Sequence, residues 1–152
     1  MATSDSREVV IEATPGEILD VIADVEATPD WSPQYQKAVI LSKHPDGRPN
    51  QVEMTVKAAG LTDVMVIEYT WTDSSVNWTL VKSGQLKTQD AGYTLTPLGD
   101  TDPEKTKVAF DMLIDLSIPM PGFLLKRTLK GGMETATDGL RKQVSKVKKS
   151  GK

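Results

Sequence analysis

The sequence predicts an α+β fold: a curved antiparallel sheet of about seven strands wrapped around one long C-terminal helix, with two short helices after the first strand. Three observations carry this expectation. Apolar residues alternate with period two through most of residues 36–118, and they recur at helical spacing from Leu125 to Val147. Between the first strand and the alternating region lies a helix-start signature cut short by prolines.

The first strand is read at Glu8–Glu12. Thr14 then stands as an N-cap, Pro15 at the first helical position and Glu17 as the capping-box acid, with Ile18, Leu19 and Ile22 as an apolar stripe. This helix is expected to end near Asp24. Pro29 and Pro33 forbid a long continuation and leave a second short turn of helix at Thr28–Trp31.

Six strands follow at hairpin spacing. Gln36–Lys43 closes at the turn His44–Gly47, and Gln51–Ala59 places Val52, Met54, Val56 and Ala58 on one face. After a turn at Gly60, Val64–Trp71 aligns Met65, Ile67, Tyr69 and Trp71, with Glu68 on the opposite face. The turn Thr72–Ser75 leads to Val76, Trp78 and Leu80 on a shared face. Ser83-Gly84 turns into a strand through Tyr93 and Leu95 that stops at Pro97, and a polar loop spans Gly99–Lys105. Lys107–Ile118 then directs Val108, Phe110, Met112, Ile114 and Leu116 inward. Such an order argues for an antiparallel sheet with one buried face. Beyond the break at Pro119–Gly122, Leu125, Leu129, Met133, Ala136, Leu140, Val144 and Val147 step by three or four residues. They fall within one sector of ~100°, so this helix must lie against the sheet.

A chain of 152 residues suits a single domain over 1–152, with an ordered core from about residue 6 to 149 and frayed ends. Its 38% hydrophobic and 26% charged residues fit a soluble globular protein. No apolar run approaches the ~18 residues of a membrane helix. The start, MATSDSREVV, is polar where a secretory signal is basic and then apolar, so a cytoplasmic location is expected. Without cysteine there is neither disulfide nor thiolate chemistry. The net charge of −3 divides unevenly, because nine basic residues between Lys126 and Lys152 face only Glu134 and Asp138. These charges spread over the whole polar sector of the last helix, and several complement its dipole near the C-terminus. A solvated helix face is therefore expected in preference to membrane contact through the basic C-terminal helix. Nucleic-acid binding is rejected, since interleaved aromatics and a basic body are lacking.

The sole histidine, His44, sits in a turn, and no cluster of His, Asp or Glu has ligand spacing, so no metal is expected. No nucleophile elbow, phosphate loop or dinucleotide fingerprint is present, no cofactor is expected, and no catalytic residue is assigned.

The stretches ATPGEILDVIADVEATPDWSPQYQKAVIL, YTWTDSSVNWTL and DLSIPMPGFLLKR together resemble the START-like, helix-grip superfamily known as SRPBCC. More closely, they resemble its polyketide cyclase/dehydrase-type branch of small actinobacterial proteins. The resemblance covers Arg7 to Val147 and implies a cavity between sheet and helix. It also implies that the two short helices close one mouth of that cavity, with Trp31, held between Pro29 and Pro33, either crossing the mouth or packing between the helices. Members of the superfamily include cyclases, lipid-transfer domains and small-molecule binders, so the likeness specifies fold better than function.

A strongly curved sheet cannot press its whole inner face on one helix, and the resulting space suits an apolar ligand. Candidate cavity residues are Trp31 and Tyr35 from the connecting segment, and Met54, Val56, Met65, Ile67 and Tyr69 from the first hairpin strands. Trp78, Tyr93, Phe110, Met112 and Ile114 follow from the later strands, and Leu129, Met133 and Ala136 from the helix. Methionines in such a lining adapt to irregular apolar shapes. Strict alternation also turns Lys82, Lys87 and Gln89 inward, the two lysines as side chains that snorkel to solvent beside the Ser83-Gly84-Gln85 turn. The favoured function is binding or transport of an apolar small molecule, a lipid, fatty acyl chain or polyketide. The alternative is a polyketide cyclase or dehydratase with Tyr69, Tyr93 or a cavity lysine as acid/base. A second alternative is an interaction module with a filled core. The oligomeric state is not legible in the sequence.

Overall fold

The computed structural model describes residues 3–58, 60–84, 86–99, 104–117 and 119–150. Seven strands form one antiparallel sheet in the order β1-β7-β6-β5-β4-β3-β2. They are β1 (Thr3–Ile11), β2 (Tyr35–Ile40), β3 (Gln51–Ala58), β4 (Leu61–Trp71), β5 (Ser75–Lys82), β6 (Leu86–Pro97) and β7 (Thr106–Leu116). Strands β2 to β7 are a simple meander, and β1 joins it beside β7, pairing from Thr3↔Ile114 to Ile11↔Thr106. The two edge strands are therefore consecutive in the chain. The short link between them, α1 (Pro15–Ala23), a single tight turn and α2 (Thr28–Trp31), must bridge the sheet from edge to edge.

Helix α1 starts as its sequence dictates. The Thr14 hydroxyl accepts from the Glu17 amide at 3.1 Å, and the Thr14 amide donates to the Glu17 carboxylate at 2.9 Å. That amide hydrogen bond is the main reason the Glu17 carboxyl titrates below its ordinary range, with Lys148 adding to it. Strand ends differ from the sequence expectation. Strand β1 extends back to Thr3, through residues that composition assigns to a frayed end, because β7 pairs along its whole length. Strand β2 stops at Ile40 rather than Lys43, and β4 begins at Leu61 rather than Val64. Most of the Gly99–Lys105 loop and the end of the last strand at Ile118 lie outside the described residues.

The C-terminal helix is α3 (Gly122–Glu134), a π turn (Thr135–Gly139) and α4 (Leu140–Ser150) in unbroken succession. Sequence spacing suggests a regular helix, and the π turn departs from it by admitting one extra residue. Ala136 faces the cavity as the apolar spacing predicts, and Thr137, absent from the apolar stripe, is also fully buried. Its hydroxyl donates to the Met133 carbonyl at 2.9 Å and accepts from Arg7 Nε of β1 at 2.9 Å, and Arg7 also reaches Asp138 at 3.0 Å.

One end of the molecule is a packed core. Ile11, Ile18, Leu19, Val52, Val108, Leu140 and Val144 are fully buried there, joining β1, α1, α4 and the sheet. Arg48 seals the same end by donating to the Leu19 carbonyl at 2.9 Å, pairing with Asp20 at 3.0 Å and lying 5.1 Å from the centre of the Trp71 ring. His44 is not merely solvated, since its Nε2 donates to the Tyr69 carbonyl at 2.9 Å and ties the β2–β3 turn to β4. Replacing Thr14 by alanine removes the hydroxyl that accepts from the Glu17 amide and leaves the backbone bond to the Glu17 carboxylate in place. The expected outcome is a loss of about 1 kcal/mol in chemical denaturation without change of fold.

Candidate functional site

Toward the other end the sheet and α3 diverge and leave a cavity of about 190 Å³. Its deep wall is a row of aromatic rings carried by neighbouring strands. Tyr69 lies 5.5 Å from Trp78, Trp78 lies 5.8 Å from Tyr93 and 5.9 Å from Phe110, and Tyr93 lies 4.7 Å from Phe110. Each is an inward position of its strand, and tilted contacts at these distances add to the stabilisation that burial provides. The helix side contributes Leu125, Thr128, Leu129, Gly132 and Ala136. The Tyr93 hydroxyl donates to the Ala136 carbonyl at 2.9 Å, so a strand of the cavity wall holds the π turn directly.

All the residues singled out from sequence lie on this cavity except Val56, Met65 and Met133. Met65 and Met133 are buried in the packed core, and Val56 packs against it from the sheet face. The inward alternation holds for them, but the helix and neighbouring side chains leave no space there. Two other inward assignments are corrected by register shifts. On β5 one extra residue separates the pairs Ile67↔Leu80 and Val66↔Lys82, and on β6 one extra residue separates Leu86↔Leu116 and Thr88↔Asp115. Each bulge reverses the faces beyond it. Lys82 and Lys87 are therefore exposed, and Leu86 lines the cavity instead. A third shift, between Tyr35 and Lys37 on β2, turns Tyr35 inward where alternation from buried Ala38 would bring Gln36.

Sequence reasoning also missed Asp63, Gln34, Ser32, Thr128 and, as a site residue, Gln89. Asp63 escapes because alternation starts the strand one residue too late. Its carboxylate accepts from the Gly84 amide at 2.9 Å and from the Ser83 hydroxyl. Gln89 is 5% exposed and its carbonyl oxygen has no partner, and Trp78, 7% exposed, has an unpartnered indole N–H. Trp78 stands opposite Ala91 on β6, two residues along from Gln89. The indole N–H of Trp31 is likewise buried and unpartnered. Trp31 forms a wall between the cavity and an outer groove along the helix, and it packs on the helix at Gly139. It therefore both lines the cavity and packs against the last helix.

The ionisable chemistry is sparse. Burial pushes the Tyr35, Tyr69 and Tyr93 phenols up from the ordinary value of 10.0, and for Tyr69 and Tyr93 the neighbouring phenols add to the rise. They are neutral hydrogen-bond donors or acceptors at neutral pH, not phenolate bases. Asp63 is the sole carboxylate among the described lining residues, and no histidine or lysine accompanies it. Among the described residues no three His, Cys, Asp or Glu side chains converge as a metal site would need.

Since the chain contains three tyrosines and all line the cavity, a phenol absorbance titration reads this site alone. Little tyrosinate is expected at about pH 10, where a free phenol is half ionised, and its appearance should coincide with alkaline unfolding. The sign follows from linkage: stability is fully present below about pH 10, the unfolded phenol value, and is lost as pH rises toward the raised folded values. Ordinary titration of all three phenols in the folded protein would contradict this. A Cβ on Gly139 would stand 2.9 Å from the Trp31 carbonyl oxygen, a backbone atom that cannot yield cheaply. Gly139→Ala should destabilise the protein by about 1 kcal/mol or more despite its gain in helix propensity, with a shift in tryptophan emission.

Residues 3–145 match the family model described as polyketide cyclase / dehydrase and lipid transport. No curated protein sequence matches the chain. Among solved structures, a START superfamily protein from Mycobacterium smegmatis superposes with a TM-score of 0.83 at 24% identity, over 95% of this chain and 98% of that one. The Zhui aromatase/cyclase from Streptomyces sp. R1128 gives 0.81 at 12% identity, over 97% and 96%. A protein from Thermus thermophilus gives 0.77 at 18% identity, over 95% and 99%. At these identities the structural likeness speaks for the fold alone. Model match and fold together make the chain a member of the polyketide cyclase/dehydrase and lipid transport family, on the START-like, helix-grip scaffold of the SRPBCC superfamily.

Proposed function

We propose that this protein binds and carries one small apolar molecule in the cavity between its sheet and C-terminal helix. The observation that carries the reading is the lining: an aromatic and aliphatic wall in which the polar atoms are neutral, Asp63 apart, with the Trp31 and Trp78 indole N–H groups and the Gln89 carbonyl unpartnered. An unsatisfied buried polar group costs about 1–3 kcal/mol, and a ligand oxygen could relieve it only if the side chain turns toward the cavity. A compact, mostly apolar ligand with a few oxygens fits this chemistry, a polyketide-like ring system better than an unsubstituted acyl chain.

The test is native mass spectrometry of protein purified without added ligand, with organic extraction of what it holds. Titration with fatty acids and aromatic polyketides follows, read by tryptophan fluorescence and melting temperature. A reproducible apolar co-purified molecule is expected, and Ala136→Phe, which fills the space beneath the π turn, should weaken binding about tenfold or more while the protein still melts cooperatively. Empty protein together with no response to either ligand class would sink the carrier reading and favour an interaction module.

A second reading, cyclase or dehydratase activity, is favoured by Asp63 alone. Closing a ring by aldol chemistry needs a base for the α-proton and a donor for the developing enolate oxygen. Asp63 is suited to the first role, but Tyr69 stands ~20 Å along the same strand and Tyr93 already donates to Ala136, so the donor would have to come from another group at the Asp63 end of the cavity. On this reading Asp63→Asn abolishes turnover of a poly-β-keto substrate and leaves ligand affinity within about threefold. Equal turnover by both proteins would exclude Asp63 as the base.

A further inference from the structure

The cavity opens where β7 passes into α3. Its lining there, Leu86, Leu116, Met120 and Leu125, is half-exposed, whereas Ile22, Met54, Trp78 and Phe110 at the other end are buried. Antiparallel pairing brings the β3–β4 and β5–β6 hairpins to the same end, since Ala58 pairs with Leu61 and Leu86 with Leu116. At the tip stands Phe123, 71% exposed on the first turn of α3, an uncommon place for a large apolar ring. Leu61 and Val81 are exposed on the two hairpins.

Around these apolar groups lie Lys57, Lys82, Lys87, Lys126, Arg127 and Lys130, all exposed. Among the described residues none of the six joins an ion pair, whereas Arg7, Arg48, Lys107, Arg141 and Lys148 do and Lys37, Lys43, Lys142, Lys146 and Lys149 do not. The carboxylates nearby are Asp63, already held by Gly84 and Ser83, and Asp115, which is also engaged. On α4, Lys142, Lys146 and Lys149 are likewise exposed, and Lys148 is the one tied down. Lys148 pairs with Glu17 at 3.5 Å and donates to the Glu12 carbonyl at 3.0 Å, and among the described residues this end of the helix carries no exposed aromatic ring beside its lysines.

We infer that the open end of the cavity docks on an anionic lipid bilayer, with Phe123 at headgroup level and the six cations against the lipid phosphates and carboxylates. The cations come from several separate elements around a projecting ring rather than lining a groove. A deformable headgroup layer meets such a tip more readily than the rigid face of an acidic protein does. Each cation held near an anionic surface gains about fivefold in partitioning. Docking depends only on the exterior; its purpose, exchange of apolar cargo without passage through water, rests on the binding reading above.

Flotation with vesicles of phosphatidylcholine, alone or with roughly 30% phosphatidylserine, tests the docking directly. Binding to the anionic vesicles only is expected, abolished in about 0.5 M salt. It should weaken about tenfold or more in Lys126→Gln/Arg127→Gln/Lys130→Gln and severalfold in Phe123→Ser. These surface variants should keep the wild-type melting temperature and cavity-ligand affinity. Lys142→Gln/Lys146→Gln/Lys149→Gln on α4 should bind vesicles as the wild type does. Absence of binding at low salt overturns the inference, as does equal loss in the α4 variant. Capture by immobilised poly-glutamate without vesicle binding also overturns it, in favour of an acidic protein partner. Because ligand affinity is read separately, failure here is distinguishable from failure of the carrier reading.

Discussion

A sheet whose two edge strands are consecutive in the chain, joined by a link of two short helices, has to curl, and a curled sheet cannot press one straight helix along its whole length. Everything else in this protein follows from where the close contact is made. It is made at the α1 and α4 end, where Ile11, Leu19, Leu140 and Val144 exclude solvent and Arg48 closes the surface. What remains at the α3 end is space, and its lining is decided by which side chains the strands present there.

The π turn is the junction of this arrangement. It admits one residue more than a regular helix, so Thr137 is buried beside Ala136, the first with its hydroxyl held by Arg7 and the second with its carbonyl held by Tyr93. Gly139, at its end, lets the Trp31 backbone approach where any side chain would collide. Sheet, helix and connecting segment thus meet at one short stretch of chain, and the cavity is bounded by hydrogen bonds as well as by apolar packing.

Charge follows the same division. On α4 the β1–α1 region neutralises Lys148, the residue nearest to it, through Glu17 and the Glu12 carbonyl. Exposed cations also gather at the cavity mouth, from β3, the β5–β6 hairpin and the start of α3. Its interior counterpart is nearly free of charge, which suits a site for a neutral ligand and leaves Asp63 as the feature by which binding and catalysis can be told apart.

The sequence by itself determined the element order, the capped first helix, the meander and the inward aromatic row of Tyr69, Trp78, Tyr93 and Phe110, because period two and period 3.6 are local properties of a chain. Only the tertiary structure decided which inward residues face space and which face atoms, since Met65 and Met133 have the same pattern as Met54 and Met112. It also decided the three register shifts that bring Tyr35 and Leu86 inward and send Lys82 and Lys87 out. A one-residue bulge without glycine leaves no local signature. It arises where strands of a curling sheet must keep pairing while bending, and that demand exists only once the partner strands are in place.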